Sequence, residues 1–310
     1  MTDELMLDLD LASGSDTRSM SSSRQPPVGR FYDVDGRRLL LHRSGTGGPA
    51  VVFLPGASAF GLDYLNVHDR VAQFTTSVVY DRGGTGWSAP ADLPRSLADV
   101  ATELRQLLRT ADVSGPYVLV AHSIGGAYAR RYAQLFPEEV AGVVYLDAFH
   151  EDWETYLPRL RPQQVPGSLA LRLIAFSSRG LYRRMFASWP DDVRRPLIER
   201  HLTVTAQRAG AQERSDQPRW RDELKAGGPV PDAPLVAMSA LGVDFAMRLF
   251  MSPKALRAMN AGKQHLYEAL AASVSNGEYR ALETAKHSTI HVDCADAVTR
   301  AIADLWKRVS

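Results

Sequence analysis

The sequence predicts an α/β fold: a mostly parallel central sheet flanked by helices, with an inserted helical cap. Three observations support this prediction. Short apolar runs typical of buried strands alternate with longer segments of helical character. The alternation stops between residues 150 and 230, where no strong buried strand occurs. It resumes at residue 234 and continues to the C-terminus.

The first elements predict an antiparallel start followed by buried parallel strands. The segment RFYDVDGRRLLLHRSG contains two β-rich runs joined at Asp35 and Gly36, a pair typical of hairpin turns. The run AVVFLP, which ends at Pro55, is continuously apolar, as expected of a strand covered on both faces. Further strands are predicted at residues 77–81, 117–121, 140–146, 234–240 and 279–283.

Helices are expected between these strands. Ser96 is a predicted N-cap, and Pro137 ends another helical segment because the residue before a proline avoids the helical conformation. The predicted helices cover residues 62–74, 96–110 and 124–136, a region ending near residue 273, and a C-terminal helix from about residue 294.

These patterns divide the chain into three predicted parts. Residues 1–27 are polar and Ser-rich and predict a flexible N-terminal tail. Residues 28–149 and 231–310 form the predicted core. Residues 150–230 are rich in arginine, tryptophan and proline and predict a helical cap inserted into that core.

Composition limits the expected partners. The 310 residues carry a net charge of only +1, so nothing favours a nucleic acid or a membrane surface as partner. No segment approaches the roughly 20 apolar residues that a membrane span requires. The single cysteine, Cys294, excludes an internal disulfide and predicts a reducing, cytoplasmic location. A small molecule is the expected partner, and the composition leaves the oligomeric state open.

Ser123 is the strongest candidate for a reactive residue. It lies in YVLVAHSIGGAYARRYA, between a buried strand and a helix that begins with two glycines. A serine on such a sharp turn projects its hydroxyl above the carboxyl edge of the sheet, and small neighbours such as Ala121 and Gly125 allow strand and helix to approach closely. The alternative interpretation is an N-cap serine without catalytic function.

Several motifs make the sequence similar to the α/β-hydrolase family, across essentially residues 30–310 outside the cap. The Ser123 segment resembles the family's G-x-S-x-G turn, with Ala121 at the first position. VVFLPGASAF resembles the strand and oxyanion loop, with Pro55 where family members carry histidine. VVYDRGGTGWSAP resembles a structural turn of the family that begins here at Asp81 and Arg82. The resemblance implies a serine nucleophile of the carboxylesterase-like branch.

A serine nucleophile needs a general base and an acid that orients it. His287 is the favoured base, because it follows the last short strand, where the family places its histidine, and His291 is the rival. Asp244 is the favoured acid, because it follows the strand that ends near Ser239 and preserves the family's chain order. Asp147, at the end of the preceding strand, is the alternative acid.

The resemblance also implies the remaining chemistry. The backbone amides of Ala57 and Ile124 are the expected oxyanion donors, and no metal or organic cofactor is expected. Ester hydrolysis with an apolar acyl substrate is the favoured reaction. Amide, lactone, peptide or carbon-carbon bond hydrolysis on the same residues, and a slowly turning-over ligand receptor, stay open.

Overall fold

The protein is described here by a computed structural model that covers residues 25–229, 231–244 and 251–310. Nearly all of the predicted flexible tail, residues 1–27, therefore lies outside the described residues. The described part is built on one sheet of eight strands. These strands are β1 Arg30–Val34, β2 Arg37–Ser44, β3 Ala50–Leu54, β4 Ser77–Tyr80, β5 Tyr117–His122, β6 Val140–Leu146, β7 Leu235–Ala240 and β8 Gly277–Leu282.

The sheet confirms the predicted mostly parallel α/β architecture. Its strand order is β1-β2-β4-β3-β5-β6-β7-β8. Only β2 pairs in antiparallel fashion, with β1 through the predicted hairpin and with β4, while the remaining neighbours are parallel. The carboxyl ends of β5, β6 and β7 lie side by side, because His122 pairs with Leu146 and Leu146 with Met238. The residues that follow these strands therefore meet at one edge.

Eleven α-helices occur in the described ranges. They are α1 Leu65–Val71, α2 Leu97–Thr110, α3 Gly125–Leu135, α4 Trp153–Tyr156, α5 Ser168–Met185, α6 Asp191–His201, α7 Val204–Arg214, α8 Gln217–Ala226, α9 Pro253–Ala272, α10 Ile290–Asp293 and α11 Ala295–Val309. As predicted, the Ser96 side chain caps α2 by accepting a hydrogen bond from the Asp99 amide. None of the helices in these ranges has the length and apolar character needed to cross a bilayer.

Buried side chains pack in two layers, one on each face of the sheet. Because successive side chains of a strand point to opposite faces, Val52 and Leu54 of β3 belong to one apolar cluster and Val51 and Phe53 to the other. All four are fully buried. Helices cover both faces, which is why the central strands β3 to β7 are buried along almost their whole length rather than on one face.

Helices α4 to α8 lie within the segment predicted to be a cap, residues 150–230. Specific polar contacts join this segment to the remainder of the chain. The Trp189 indole donates a hydrogen bond to the Leu62 carbonyl (3.0 Å), and His201 Nε2 lies 2.8 Å from Asp63 Oδ1. The division of the chain into a core and a cap stays a prediction.

Candidate active site

Ser123 lies on a strained turn between β5 and α3. Its φ is +53°, in the left-handed region that side chains other than glycine rarely adopt. The turn is possible because its neighbours are small: a Cβ at Gly125 would lie 2.1 Å from the Leu54 carbonyl oxygen. The backbone of this turn is tied to the sheet edge, since the Ser123 amide donates to the Leu146 carbonyl (3.3 Å). Ser123 thus has the sharp strand-to-helix position that the sequence predicts.

His287 connects Ser123 to a carboxylate. It begins a short 3₁₀ turn (His287–Thr289) that follows β8. Its Nε2 lies 3.0 Å from Ser123 Oγ, and its Nδ1 lies 2.6 Å from Asp147 Oδ2. With Nδ1–H donating to the carboxylate, Nε2 is free to accept the serine proton. These distances allow the imidazole to act as a general base toward Ser123.

The acid beside His287 is Asp147 and not Asp244, which corrects the preference drawn from the sequence. Asp147 directly follows β6, which is hydrogen-bonded to β5, so it emerges next to Ser123. Asp244 lies four residues beyond the end of β7 and makes no hydrogen bond or ion pair within the described ranges. Position in the sheet, which chain order does not specify, therefore decides between the two carboxylates.

Asp147 is buried and strongly held. Its Oδ1 accepts a hydrogen bond from the Ala240 amide (3.1 Å), and its Oδ2 accepts one from Lys263 Nζ (2.6 Å) in addition to that from His287. Burial alone would raise the pKa of Asp147, but the Lys263 ammonium and the His287 hydrogen bond lower it more, and the net pKa lies well below the ordinary value of 3.8. The carboxylate is therefore ionised at neutral pH.

The other histidines at this edge are structural. His122 Nε2–H donates to the His287 carbonyl (2.9 Å), and the Tyr64 hydroxyl donates to His122 Nδ1 (2.7 Å). Burial lowers the pKa of His122 well below 6.5 and that of His291 to about 4. His291 is 1% exposed, stacks on Tyr64 at 4.3 Å and has no hydrogen-bond partner for either ring nitrogen in the described part of the chain. It does not compete with His287 for Ser123.

The two predicted oxyanion donors flank the serine. Ile124 directly follows Ser123, and Ala57 follows Gly56, whose added Cβ would lie 3.1 Å from Ser123 Cβ. Within residues 25–229, 231–244 and 251–310, neither the Ala57 amide nor the Ile124 amide donates a backbone or side-chain hydrogen bond. Both donors are thus available to a ligand oxygen near Ser123 Oγ.

A buried ion pair supports the Ala57 loop. The Arg82 guanidinium donates to the carbonyls of Pro55 (2.8 Å) and Gly56 (3.1 Å), and it also pairs with Glu213 of α7 (2.7 Å). Arg82 and Glu213 are both 2% exposed. The resemblance marks Arg82 as part of a structural turn, but the sequence gives no local signal for its partner Glu213, which lies 131 residues away. The Lys263–Asp147 pair has no local signal either, because 116 residues separate the two.

Comparison with known proteins identifies the family. A family model described as "Alpha/beta hydrolase family" matches residues 51–301, most of the chain. The chain belongs to the alpha/beta hydrolase family. Its curated relatives align with this alpha/beta hydrolase over shorter segments. An uncharacterised protein of Schizosaccharomyces pombe is 49% identical over 85 residues, which are 27% of this chain and 15% of that protein. The uncharacterised YbdG of Bacillus subtilis is 28% identical over 121 residues, 38% of this chain and 37% of that protein.

The alpha/beta hydrolase also resembles solved structures over nearly its whole length. Cfl2 from Burkholderia cenocepacia superposes with a TM-score of 0.67 and 21% identity, covering 90% of this chain and 97% of that one. A thermophilic esterase from Thermogutta terrifontis gives a TM-score of 0.58 and 17% identity, with coverages of 91% and 98%. At these identities the likeness concerns the fold. The chain spans less than half the length of the curated relatives named above.

Proposed function

We propose that this alpha/beta hydrolase is a serine hydrolase that cleaves carboxylic esters of small molecules through an acyl-enzyme intermediate. The observation that carries the proposal is the continuous series from Ser123 Oγ to His287 (3.0 Å) and from His287 to Asp147 (2.6 Å). A serine, an imidazole and a buried carboxylate in this order are the parts that activate a hydroxyl for acyl transfer. The fold shared with a named esterase agrees with this reaction class.

Each residue has a defined role in the proposed reaction. Ser123 Oγ attacks the ester carbonyl carbon while its proton passes to His287 Nε2. The carbonyl oxygen becomes an oxyanion that accepts hydrogen bonds from the Ala57 and Ile124 amides. The carbon-oxygen bond to the alcohol then breaks, and the alcohol takes the proton from His287. Ionised Asp147 holds the imidazole in the required tautomer and stabilises the imidazolium.

Deacylation uses the same groups in reverse. A water molecule gives its proton to His287 as its oxygen attacks the acyl carbon, and the Ser123–acyl bond breaks. The serine recovers its proton from His287, and the carboxylic acid leaves. No step uses a metal or an organic cofactor, so we expect a chelator to leave the activity unchanged. A cytoplasmic location and a small-molecule partner remain predictions from composition.

The direct experiment combines covalent labelling with turnover. A fluorophosphonate should add one adduct to the intact mass of the wild-type protein, because Ser123 displaces fluoride at phosphorus, and Ser123→Ala should not be labelled. Ser123→Ala and His287→Ala should each lower kcat for p-nitrophenyl acetate by at least about 10⁴-fold without changing the melting temperature by more than a few degrees. His265→Ala, on α9, is the matched histidine control.

Two outcomes would redirect the proposal. Full turnover by folded Ser123→Ala would remove the serine from the mechanism. Labelling of Ser123 without repeated ester turnover would favour another bond type, or a receptor that turns over its ligand slowly. Turnover of amides, lactones and substrates with a cleavable carbon-carbon bond, all with the same acyl group, then identifies the bond type that the protein cleaves.

A further inference from the structure

Helix α7 lies directly on the loop that carries the proposed oxyanion donor Ala57. A Cβ added at Gly210 of α7 would lie 1.8 Å from Ser58 Oγ, so the helix and the loop are in close contact. One turn later, Arg214 Nη1 donates a hydrogen bond to Ser58 Oγ (2.7 Å). Because Ser58 directly follows Ala57, the Arg214 guanidinium is anchored one residue from a group that would bind the substrate carbonyl.

The acidic neighbour of Arg214 is already committed to other partners. Glu213 Oε1 accepts two hydrogen bonds from Arg82, at 2.9 and 2.7 Å, and Glu213 Oε2 accepts one from the Ser58 amide (3.3 Å). In the ranges that the structure describes, Arg214 makes no ion pair and its one hydrogen bond is to Ser58. Of the five N–H donors of its guanidinium, four lack a protein partner there.

This charge, which has no direct ion pair among the described residues, is partly withdrawn from water. Burial lowers the pKa of Arg214 below its ordinary value, although the Glu213 carboxylate opposes this effect. A guanidinium nevertheless stays protonated at neutral pH. A half-buried guanidinium with free N–H donors is stabilised most by an anion whose shape matches its planar pair of N–H groups. A carboxylate matches it by accepting two parallel hydrogen bonds.

A small cavity next to Arg214 has the corresponding chemistry. Its volume is about 110 Å³, and its polar lining consists of Gln163, Gln164, Gln207 and Arg214. Four apolar or small side chains complete the wall, Leu171 and Ile174 among them, and no acidic residue lines it. A volume of this size holds a few water molecules or one carboxylate with a methylene group.

We propose that Arg214 binds a carboxylate at the far end of the substrate's acyl group, so that the preferred substrates are half esters of short dicarboxylic acids. This inference rests on the proposed ester hydrolysis at Ser123. The glutamine amides donate further hydrogen bonds to the same carboxylate, and the apolar wall contacts the methylene groups. Arg214 is a specificity residue in this assignment and takes no part in proton transfer.

The test compares two esters that have acyl chains of equal length but differ in charge. The mono-p-nitrophenyl ester of glutaric acid carries the distal carboxylate, and p-nitrophenyl valerate carries a methyl group in its place. We expect wild-type protein to have the higher kcat/KM for the half ester. In Arg214→Gln the ratio of the two kcat/KM values should fall by about 10- to 100-fold, the effect of losing a charge-assisted pair. Arg214→Lys should give an intermediate ratio.

Arg208 supplies the matched control on the same helix. Its guanidinium donates to Ser168 Oγ (2.8 Å) in an exposed hydrogen bond and does not line the cavity. Arg208→Gln should leave the ratio unchanged. If Arg214→Gln also leaves the ratio unchanged while both esters are hydrolysed, the Arg214 assignment is wrong and ester hydrolysis stands. If wild-type protein hydrolyses neither ester, the proposed function itself fails.

Discussion

Replacing Asp147 by asparagine tests the acid of the proposed triad. The asparagine amide can be placed in two orientations, and each of them sets its NH₂ group against a hydrogen-bond donor. The carboxylate accepts hydrogen bonds from the Ala240 amide on one oxygen and from Lys263 and His287 on the other. An asparagine NH₂ group on the second side would face the Lys263 ammonium and donate to His287 Nδ1, which places the imidazole proton on Nε2. An NH₂ group on the first side would face the Ala240 N–H.

Both orientations reduce activity, by amounts that the contacts allow us to bound. Loss of the charge in the His287 hydrogen bond removes about 1.5–3 kcal/mol, or about 10- to 100-fold in rate. The wrong imidazole tautomer extends the loss to about 10⁴-fold. We therefore expect kcat of Asp147→Asn to fall by between about 10-fold and about 10⁴-fold. Asp244→Asn should change kcat by less than about threefold, because that side chain has no partner among the described residues.

Stability must be measured beside activity, since the substitution also leaves a buried cation unpaired. Lys263 is 6% exposed, and removal of one partner of a buried pair costs about 3–5 kcal/mol. The double variant Asp147→Asn/Lys263→Met removes that charge and should regain much of the melting temperature while its kcat stays low. Steady-state turnover of p-nitrophenyl acetate and thermal melts measure the two effects. A folded Asp147→Asn protein with near wild-type kcat, or a larger loss in Asp244→Asn, would refute the assignment.

Two further predictions concern histidine burial and helix packing. Because the pKa of His291 is lowered from 6.5 to about 4, the unfolded chain binds more protons between these pH values, and stability falls as the pH decreases. At pH 5 this histidine lowers the free energy of unfolding by about 2 kcal/mol. The melting temperature of His291→Phe, measured from pH 7 to 5, should therefore fall less than that of the wild-type protein, and its kcat should be unchanged. An equal fall in the two proteins would contradict the burial argument. Gly210→Ala forces a Cβ against Ser58 and should lower kcat by displacing the Ala57 loop. Gly180→Ala, also helical but with open space, should be neutral or slightly stabilising, and equal kcat values for the two variants would contradict the contact.

The sequence predicts the sheet and the sharp turn at Ser123 well because their signals are local. A buried strand followed by a serine and two glycines specifies the turn at Ser123, and its φ of +53° is the conformation that such small neighbours permit. His287 is also predicted from its place after the last strand. Its contact with Ser123, across 164 residues, is a property of the fold.

The sequence does not predict which carboxylate contacts His287. Asp147 and Asp244 both follow a parallel strand, and both strands end at the same edge of the sheet. What separates them is lateral distance: β6 is the direct neighbour of β5, whereas β7 is one strand further away. The stabilising groups around the site, Lys263 beside Asp147 and Glu213 beside Arg82, depend on tertiary packing in the same way.

The Arg82–Glu213 pair holds helix α7 against the loop that carries Ala57. If helix α7 moved outward, Arg82 would lose its counterion Glu213, and the Ser58 amide would lose its acceptor at the same time. A penalty of about 3–5 kcal/mol keeps such an open form below about one molecule in a hundred. We therefore expect the form with α7 in place to predominate, and a chimera that exchanges residues 150–230 between homologues should keep this arrangement only if it supplies a counterion for Arg82.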